Sequence, residues 1–310
     1  MKWYDVITET YVKNAVIGYM QAAPLEAFRV FPTVNVTKMA GLFPKYAKDD
    51  WFKIGSVDEY KRSGATESAG DTFASDSVSY DIEQVSFHKD VTKADRDQME
   101  SPYDAVNDGA RFVVNRIKRV VLKMLLSEYV AASIWNNEES SPTKWNATTN
   151  GVSDADPVDQ VLGWQQAVEK TTGFKPNKMI VTPDCYKALR TNTKIRGLLG
   201  QNQTKIVTPQ LIASLFDLDD FVILNAVNED ADGYMASGKA LLVYTPDQAN
   251  ASKYEPSAGY ITLYRNNGLD VSPRRIAMPE RNDALRIEGD MYIDPVVTAP
   301  DCGYYISSLV

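Results

Sequence analysis

Residues 101–135 constrain the fold most, because they read as one helix of unusual length. Ser101-Pro102 supplies an N-cap followed by proline at the first helical position, with Asp104 in the first turn. Val106, Ala110, Val113, Ile117, Val121 and Met124 recur at steps of three or four and line one face with apolar side chains. Arg111, Arg116, Lys118, Arg119 and Lys123 mark basic positions around that stripe. At ~1.5 Å per residue such a helix spans roughly 50 Å, beyond the usual globular length. Its charges exclude a membrane span and its non-heptad stripe argues against a coiled coil, so the segment is expected to be a structural spine.

Upstream, residues 5–20 read as a short amphipathic helix. From Ala23 to Tyr46, the apolar residues Phe28, Val30, Phe31, Val34, Val36, Leu42 and Phe43 are interrupted by Pro24, Pro32 and Pro44. The prolines block a helix and favour an extended arm, for which no partner within the chain is evident. Residues 51–90 read as one long hairpin, with the segment DWFKIGSVDEY going out and SVSYDIEQVSFHKD returning. Val78, Tyr80 and Ile82 alternate, as do Val85 and Phe87, and the phase slips near Glu83-Gln84 as at a bulge. The tip, residues 62–76, is rich in Ser, Gly, Ala and Thr, and a loop this long is usually functional or disordered.

Downstream of the spine, helices and strands alternate. Asp156-Pro157 caps a helix with Val158, Val161, Leu162, Gln165 and Val168 on one face, ending near Gly173. Lys178 to Val181 is a short strand of the buried type, Thr182-Pro183 opens a helix through Leu189, and Thr208-Pro209 opens another through Phe216. Phe221–Leu224 and Ala240–Tyr244 read as strands, and the chain is strand-rich from Tyr260 onward.

Chemical motifs are weak. Gly233 to Ala240 fits G-x-x-x-x-G-K, but Ala240 stands where a Mg²⁺-binding hydroxyl is needed and a strand follows instead of a helix. Asn228 to Gly233 imitates the start of a calcium loop, whose twelfth position is then Lys239 instead of a bidentate Glu. The single histidine, His88, rules out a two-histidine metal site. Cys185 and Cys302 are too far apart in sequence for a close-spaced thiolate site. The charge balance, 33 basic against 41 acidic residues for a net −8, opposes sequence-specific DNA reading. No signal peptide or membrane span is evident, and no catalytic residue, metal or cofactor is expected.

The order of elements carries more information than any motif. Short helix, extended arm, long hairpin, spine helix, α/β lobe and returning strands together resemble the major capsid proteins of tailed double-stranded DNA bacteriophages, with the Hong Kong 97-like fold. The resemblance rests on AFRVFPTVNVTKMAG for the N-arm, on FKPNKMIVTPDCYKALR with its V-x-P-x-x-Y-x-x-L pattern, and on the ending ALRIEGDMYIDPVVTAPDCGYYISSLV. It implies an α+β fold divided into an N-terminal helix and N-arm (1–50), an E-loop (51–90), and a P-domain with the spine (91–140). An A-domain (141–268), P-domain strands (269–300) and a C-terminal strand returning to the A-domain (301–310) follow.

The implied function is structural: hexamers and pentamers closing an icosahedral shell around a phage genome, in the virion, after assembly in the host cytoplasm. Portal, separate scaffolding and decoration proteins are the implied partners; the start at Met1, without a long charged extension, leaves scaffolding to another protein. Double-stranded DNA is enclosed without sequence-specific binding. Arm and hairpin then supply the candidate intersubunit contacts Phe28, Phe31, Val34, Val36, Tyr60, Arg62, Tyr80, Ile82 and Phe87, because a two-stranded hairpin alone is marginal in water. Two other readings compete: an encapsulin-like compartment storing cargo protein, and an acidic α/β enzyme.

Overall fold

The structure is a computed structural model that describes residues 26–45, 55–62, 64, 76–92, 104–198, 207–226, 234–246, 256–264, 269–276 and 284–310. The expected helix at 5–20, the Ser101-Pro102 cap and the calcium-like loop at 228–233 lie outside these residues. The chain begins with α1 (Ala27–Val30), β1 (Thr33–Val36), β2 (Ala40–Pro44), α2 (Val57–Tyr60), β3 (Ser77–Asp81) and β4 (Glu83–Val91). The spine α3 (Ala105–Tyr129) leads to β5 (Asn137–Ser140), β6 (Thr148–Thr149), β7 (Val152–Ser153), α4 (Pro157–Thr172), β8 (Lys178–Val181), α5 (Pro183–Thr191) and α6 (Thr193–Leu198). After α7 (Pro209–Leu215) come β9 (Asp220–Ile223), β10 (Ala240–Val243), β11 (Gly259–Tyr264), β12 (Leu269–Ile276), β13 (Ala284–Val297) and β14 (Gly303–Ser307).

Among the described residues these strands form two five-stranded sheets and two ribbons. The first sheet runs β1-β11-β13-β12, with β4 also pairing with β13. The second runs β5-β14-β10-β8-β9.

The spine is shorter than its sequence pattern. Asp104 is the N-cap, its carboxylate accepting from the amides of Val106 and Asn107 at 2.9 and 3.4 Å, an arrangement worth about 1 kcal/mol. At the other end the Trp135 indole donates to the Tyr129 carbonyl at 2.7 Å, satisfying one of the last turn's orphan acceptors. Ala110, Val113, Ile117 and Val121 of the expected stripe are buried, whereas Val106 and Met124 are half-buried. Gly289 on β13 makes the close approach possible, since a Cβ there would lie 2.9 Å from Ile117 Cδ1 and 3.0 Å from Val113 Cγ1.

The interior strands β8 and β10 of the second sheet are buried on both faces, which is why MIV of β8, after the buried Lys178, and ALLV of β10 are unbroken apolar runs instead of alternating ones. Ile180, Leu241 and Val243 join the core beneath the spine, while Met179, Val181 and Leu242 face a second core under α4, α5 and α7. The Asp156 cap and the left-handed Gly173 terminus of α4 follow the sequence pattern, but Leu162, expected on the buried face, is exposed and Trp164 is buried in its place.

The arm differs from expectation in two ways. Its first residues wind one helical turn, α1, bounded by Pro24 and Pro32, before Phe31 turns extended as a residue preceding proline must. It also has a partner within the chain: β1 lies parallel to β11, with Thr33 opposite Ile261 and Val36 opposite Tyr264. A parallel pair between segments more than 200 positions apart leaves no local mark in the sequence. The hairpin, too, has a different outgoing limb. β3 pairs with β2, Gly41 opposite Tyr80, while residues 57–60 of the expected strand form α2. The apparent bulge at Glu83-Gln84 is the point where the chain leaves the β2-β3 ribbon and enters the first sheet as β4, antiparallel to β13.

Candidate assembly surfaces

The β2-β3 ribbon has an inner and an outer face. Inward, Phe43, Val78 and Tyr80 pack with Ile82, Val296, Val36, Tyr264 and Tyr292 into a small cluster of their own. Tyr80 lies across Gly41, where a Cβ would fall 2.5 Å from its hydroxyl oxygen and 2.7 Å from its nearest ring atoms, so any larger residue would displace the Tyr80 ring from this seat. Outward, Leu42 is 70% exposed and Met39 is 42% exposed. Val57 and Tyr60 of α2, and Arg62 beyond it, are also exposed.

Placed on this frame, the nine expected contact residues divide. Phe31, Tyr80 and Ile82 are buried within the subunit, Phe31 stacking on Tyr129 at 3.9 Å. Phe28, Val34, Val36 and Phe87 are half-buried against the chain's own apolar clusters. Tyr60 and Arg62 are exposed. Met39, Leu42 and Val57 join them, and the alternation of Leu42 against Gly41 and Phe43 marks the outer face once β2 is known to be a strand.

The arm is tied to the second sheet at one carbonyl. Val30 O accepts from Thr245 Oγ1 at 2.7 Å and from the buried Lys178 Nζ at 3.3 Å, and Arg29 pairs with Asp220 at 2.7 Å. That ion pair borders an open cleft of about 450 Å³ beside β9, the outermost strand of the second sheet among the described residues, and the cleft also presents Glu26, Gln210, Ser214 and Asn225. Where β3 passes into β4, the Asp81 amide donates to Asp294 Oδ2 at 2.9 Å and the Ile82 amide to the Met39 carbonyl at 2.8 Å. Burial pushes the Asp294 pKa up to about 6; the Asp81 amide opposes that shift, and the charges of Glu128, Glu83 and Asp81 reinforce it.

On the spine, Arg111, Arg119 and Lys123 are exposed, while Arg116 and Lys118 are half-buried. Burial pushes the Lys118 ammonium below its ordinary pKa. The nucleotide-like loop has another use. Gly238, at φ +65°, donates its amide to Asp184 Oδ2 at 2.8 Å, and Ser237 Oγ donates to the same carboxylate. Lys239 reaches the Val130 carbonyl at the end of the spine and lies over the Tyr305 ring. A carboxylate of the chain itself thus occupies the position at which a phosphate would meet the glycine amide. Both cysteines are buried, and burial pushes each thiol to about 12. Among the described residues no cluster of His, Cys, Asp or Glu is arranged to hold a metal, and no helix is long and apolar enough to cross a membrane.

No protein-family model matches the chain. A curated major capsid protein of the Burkholderia phage BcepMu is 23% identical over 309 residues, covering 98% of this chain and 97% of that one. A crystal structure of a phage-related protein from Bordetella bronchiseptica superposes with TM-score 0.71 at 17% identity, over 97% of each chain. The capsid of cyanophage P-SCSP1u gives TM-score 0.53 at 11% identity, over 90% of this chain and 87% of that one. An encapsulin from Synechococcus elongatus gives TM-score 0.52 at 12% identity, over 94% of this chain and 95% of that one. Joined to the spine, the ribbon and the two sheets, the fold shared along nearly the whole chain is the Hong Kong 97-like capsid fold, and the chain is similar from end to end to a phage major capsid protein.

Proposed function

We propose that the chain is the structural coat subunit of a tailed phage, many copies of which close as hexamers and pentamers into an icosahedral shell around a double-stranded DNA genome. The observation that carries this reading is the β2-β3 ribbon, whose inner face is used within the subunit while Leu42 and Met39 are exposed, as are Val57 and Tyr60 of α2. Such a surface fits a neighbouring copy, and different patches meeting head to tail generate rings and closed particles. The role is structural and not catalytic. A portal, a separate scaffolding protein and decoration proteins complete the proposed assembly, which forms in the host cytoplasm and persists as the virion capsid.

The encapsulin likeness supports a second use of the same fold, a compartment holding cargo protein. Contents separate the two. Purified particles should be closed shells of megadalton mass in electron micrographs and by light scattering, with nucleic acid and a unique portal vertex inside the phage version. A monomer or dimer as the sole species, from virions or after co-expression with neighbouring genes, would refute the shell. A packaged enzyme without a portal would select the compartment.

A further inference from the structure

The cleft beside β9 is lined by two short helices and one edge of a sheet. α1 and its cap contribute Arg29 and Glu26, α7 contributes Gln210 and Ser214, and β9 contributes its whole length. In a parallel ladder alternate residues of a strand bond to the same side. The Asp220 amide donates to the Asn177 carbonyl at 3.4 Å and the Leu224 amide to the Val181 carbonyl at 3.1 Å, so the even-numbered residues of β9 serve β8. Phe221 and Ile223 therefore turn their amides and carbonyls to the outer edge. The Phe221 amide is taken by the Asp220 carboxylate at 2.9 Å. The Ile223 amide and both carbonyls have no strand beside them among the described residues. The cleft is also acidic. Arg29 neutralises Asp220 at 2.7 Å, which leaves the exposed Glu26 and Asp219 without a second cation among the lining residues. From Asp217 to Asp232 the sequence holds six acids and no Lys or Arg.

We infer that this edge receives an extended, cationic segment of another protein of the particle, which adds a strand beside β9 and sets lysine or arginine against Glu26 and Asp219. The inference rests on the coat reading for placing the partner in the particle; the cleft itself sets the partner's chemistry. In strand addition the backbone of the edge supplies affinity and the flanking side chains supply selectivity. About three residues of the incoming segment can pair with residues 221–223. The cleft of about 450 Å³ has room for a few residues of chain and not for a folded domain. Its uncompensated acids repel a phosphate backbone, which excludes nucleic acid as the occupant. A second copy suits it poorly, since each copy carries a net charge of −8 and copies are proposed to meet at the ribbon. Because one wall is α1, an occupant also fastens the start of the arm to the second sheet.

The test uses the full chain, as dissociated subunits and as shells, with an end-capped heptapeptide alternating lysine with valine and threonine as the probe. Binding is read by anisotropy of the labelled peptide, its site by hydrogen exchange of residues 219–225, and shells by electron microscopy. The lysine peptide should bind both forms with Kd of about 1 mM or below and slow exchange in that segment at least about threefold. Its glutamate counterpart should bind at least about tenfold more weakly. N-methylation of the peptide at alternate residues should abolish binding in one phase and leave it within about threefold in the other, because only one edge of the added strand meets β9. Glu26→Lys/Asp219→Lys should weaken the lysine peptide at least about tenfold with circular dichroism unchanged. Equal affinity for the two N-methylated forms, equal affinity for the lysine and glutamate peptides, or unchanged binding by the double variant overturns the inference. Binding to subunits but not to shells overturns it in favour of a second copy covering the cleft, and binding to neither overturns it in favour of closure by the chain itself. Absence of closed shells from wild type removes the coat reading without touching the peptide result.

Discussion

Val113 is fully buried, with its methyl against the strand at Gly289. Val113→Asp places a carboxylate where neither water nor a partner can reach it, at a cost of several kcal/mol against a whole-domain stability of about 5–15. The variant should be insoluble or lack native circular dichroism. Lys118→Ala, which removes an ammonium already disfavoured by burial, should remain folded within about 1 kcal/mol. Equal solubility of the two would show that the spine's phase is wrong. Asp294 yields a pH prediction. Its folded pKa of about 6 lies above an unfolded value of about 3.9. The folded state therefore binds this proton more tightly, so the site's contribution is most favourable below about pH 4 and is lost as pH rises through 6. Because the group is half-exposed and screened, Asp294→Asn should gain only about 1 kcal/mol at pH 7 and less at pH 5. Urea titrations at the two pH values report that difference, and an equal gain at both would exclude the mechanism. At this scale the sequence was informative: the apolar stripe identified the buried side of the spine because the 3.6-residue period is a local property. It could not show Gly41 beneath Tyr80, which depends on a cross-strand neighbour some forty positions away.

The ribbon is the element on which assembly is predicted to turn. Replacing its tip, residues 62–76, with a short Gly-Ser turn should leave a soluble, folded subunit that does not close shells, judged by circular dichroism and electron microscopy. Normal particles would mean that the tip only decorates the surface; complete unfolding would mean that it serves the subunit's own core. Helices and strands with local punctuation were legible here: Asp156-Pro157, Gly173, Thr182-Pro183 and Thr208-Pro209 bound elements close to their observed limits. Pairing partners were not. The run from Ser77 to Val91 alternates on either side of a slip at Glu83-Gln84, and its two halves serve the ribbon and the first sheet in turn, because alternation reports which side a residue faces and not what lies beside it. The same gap explains the candidate contacts. An apolar residue of the arm or hairpin looks the same in sequence whether it meets a neighbour or its own chain, and Phe31, Tyr80 and Ile82 are buried inside the subunit.

Across the whole molecule, the order of elements was readable because each had a length and period of its own, whereas the two sheets that interleave them are built from distant segments. The last of those segments has a consequence for manufacture. β14 lies between β5 and β10, pairing with Tyr305 opposite Leu241 on one side and Glu138 on the other, and the Leu309 amide then donates to Gly238. Until residues 303–307 leave the ribosome, the second sheet lacks an interior strand and its two apolar faces cannot be sealed. A subunit deleted for residues 303–310 should accordingly be aggregated or degraded instead of forming defective shells, and soluble incorporation of such a fragment into particles would disprove this. A product interrupted before residue 303 is thereby barred from any shell: emergence of this late strand acts as a proofreading step for the container.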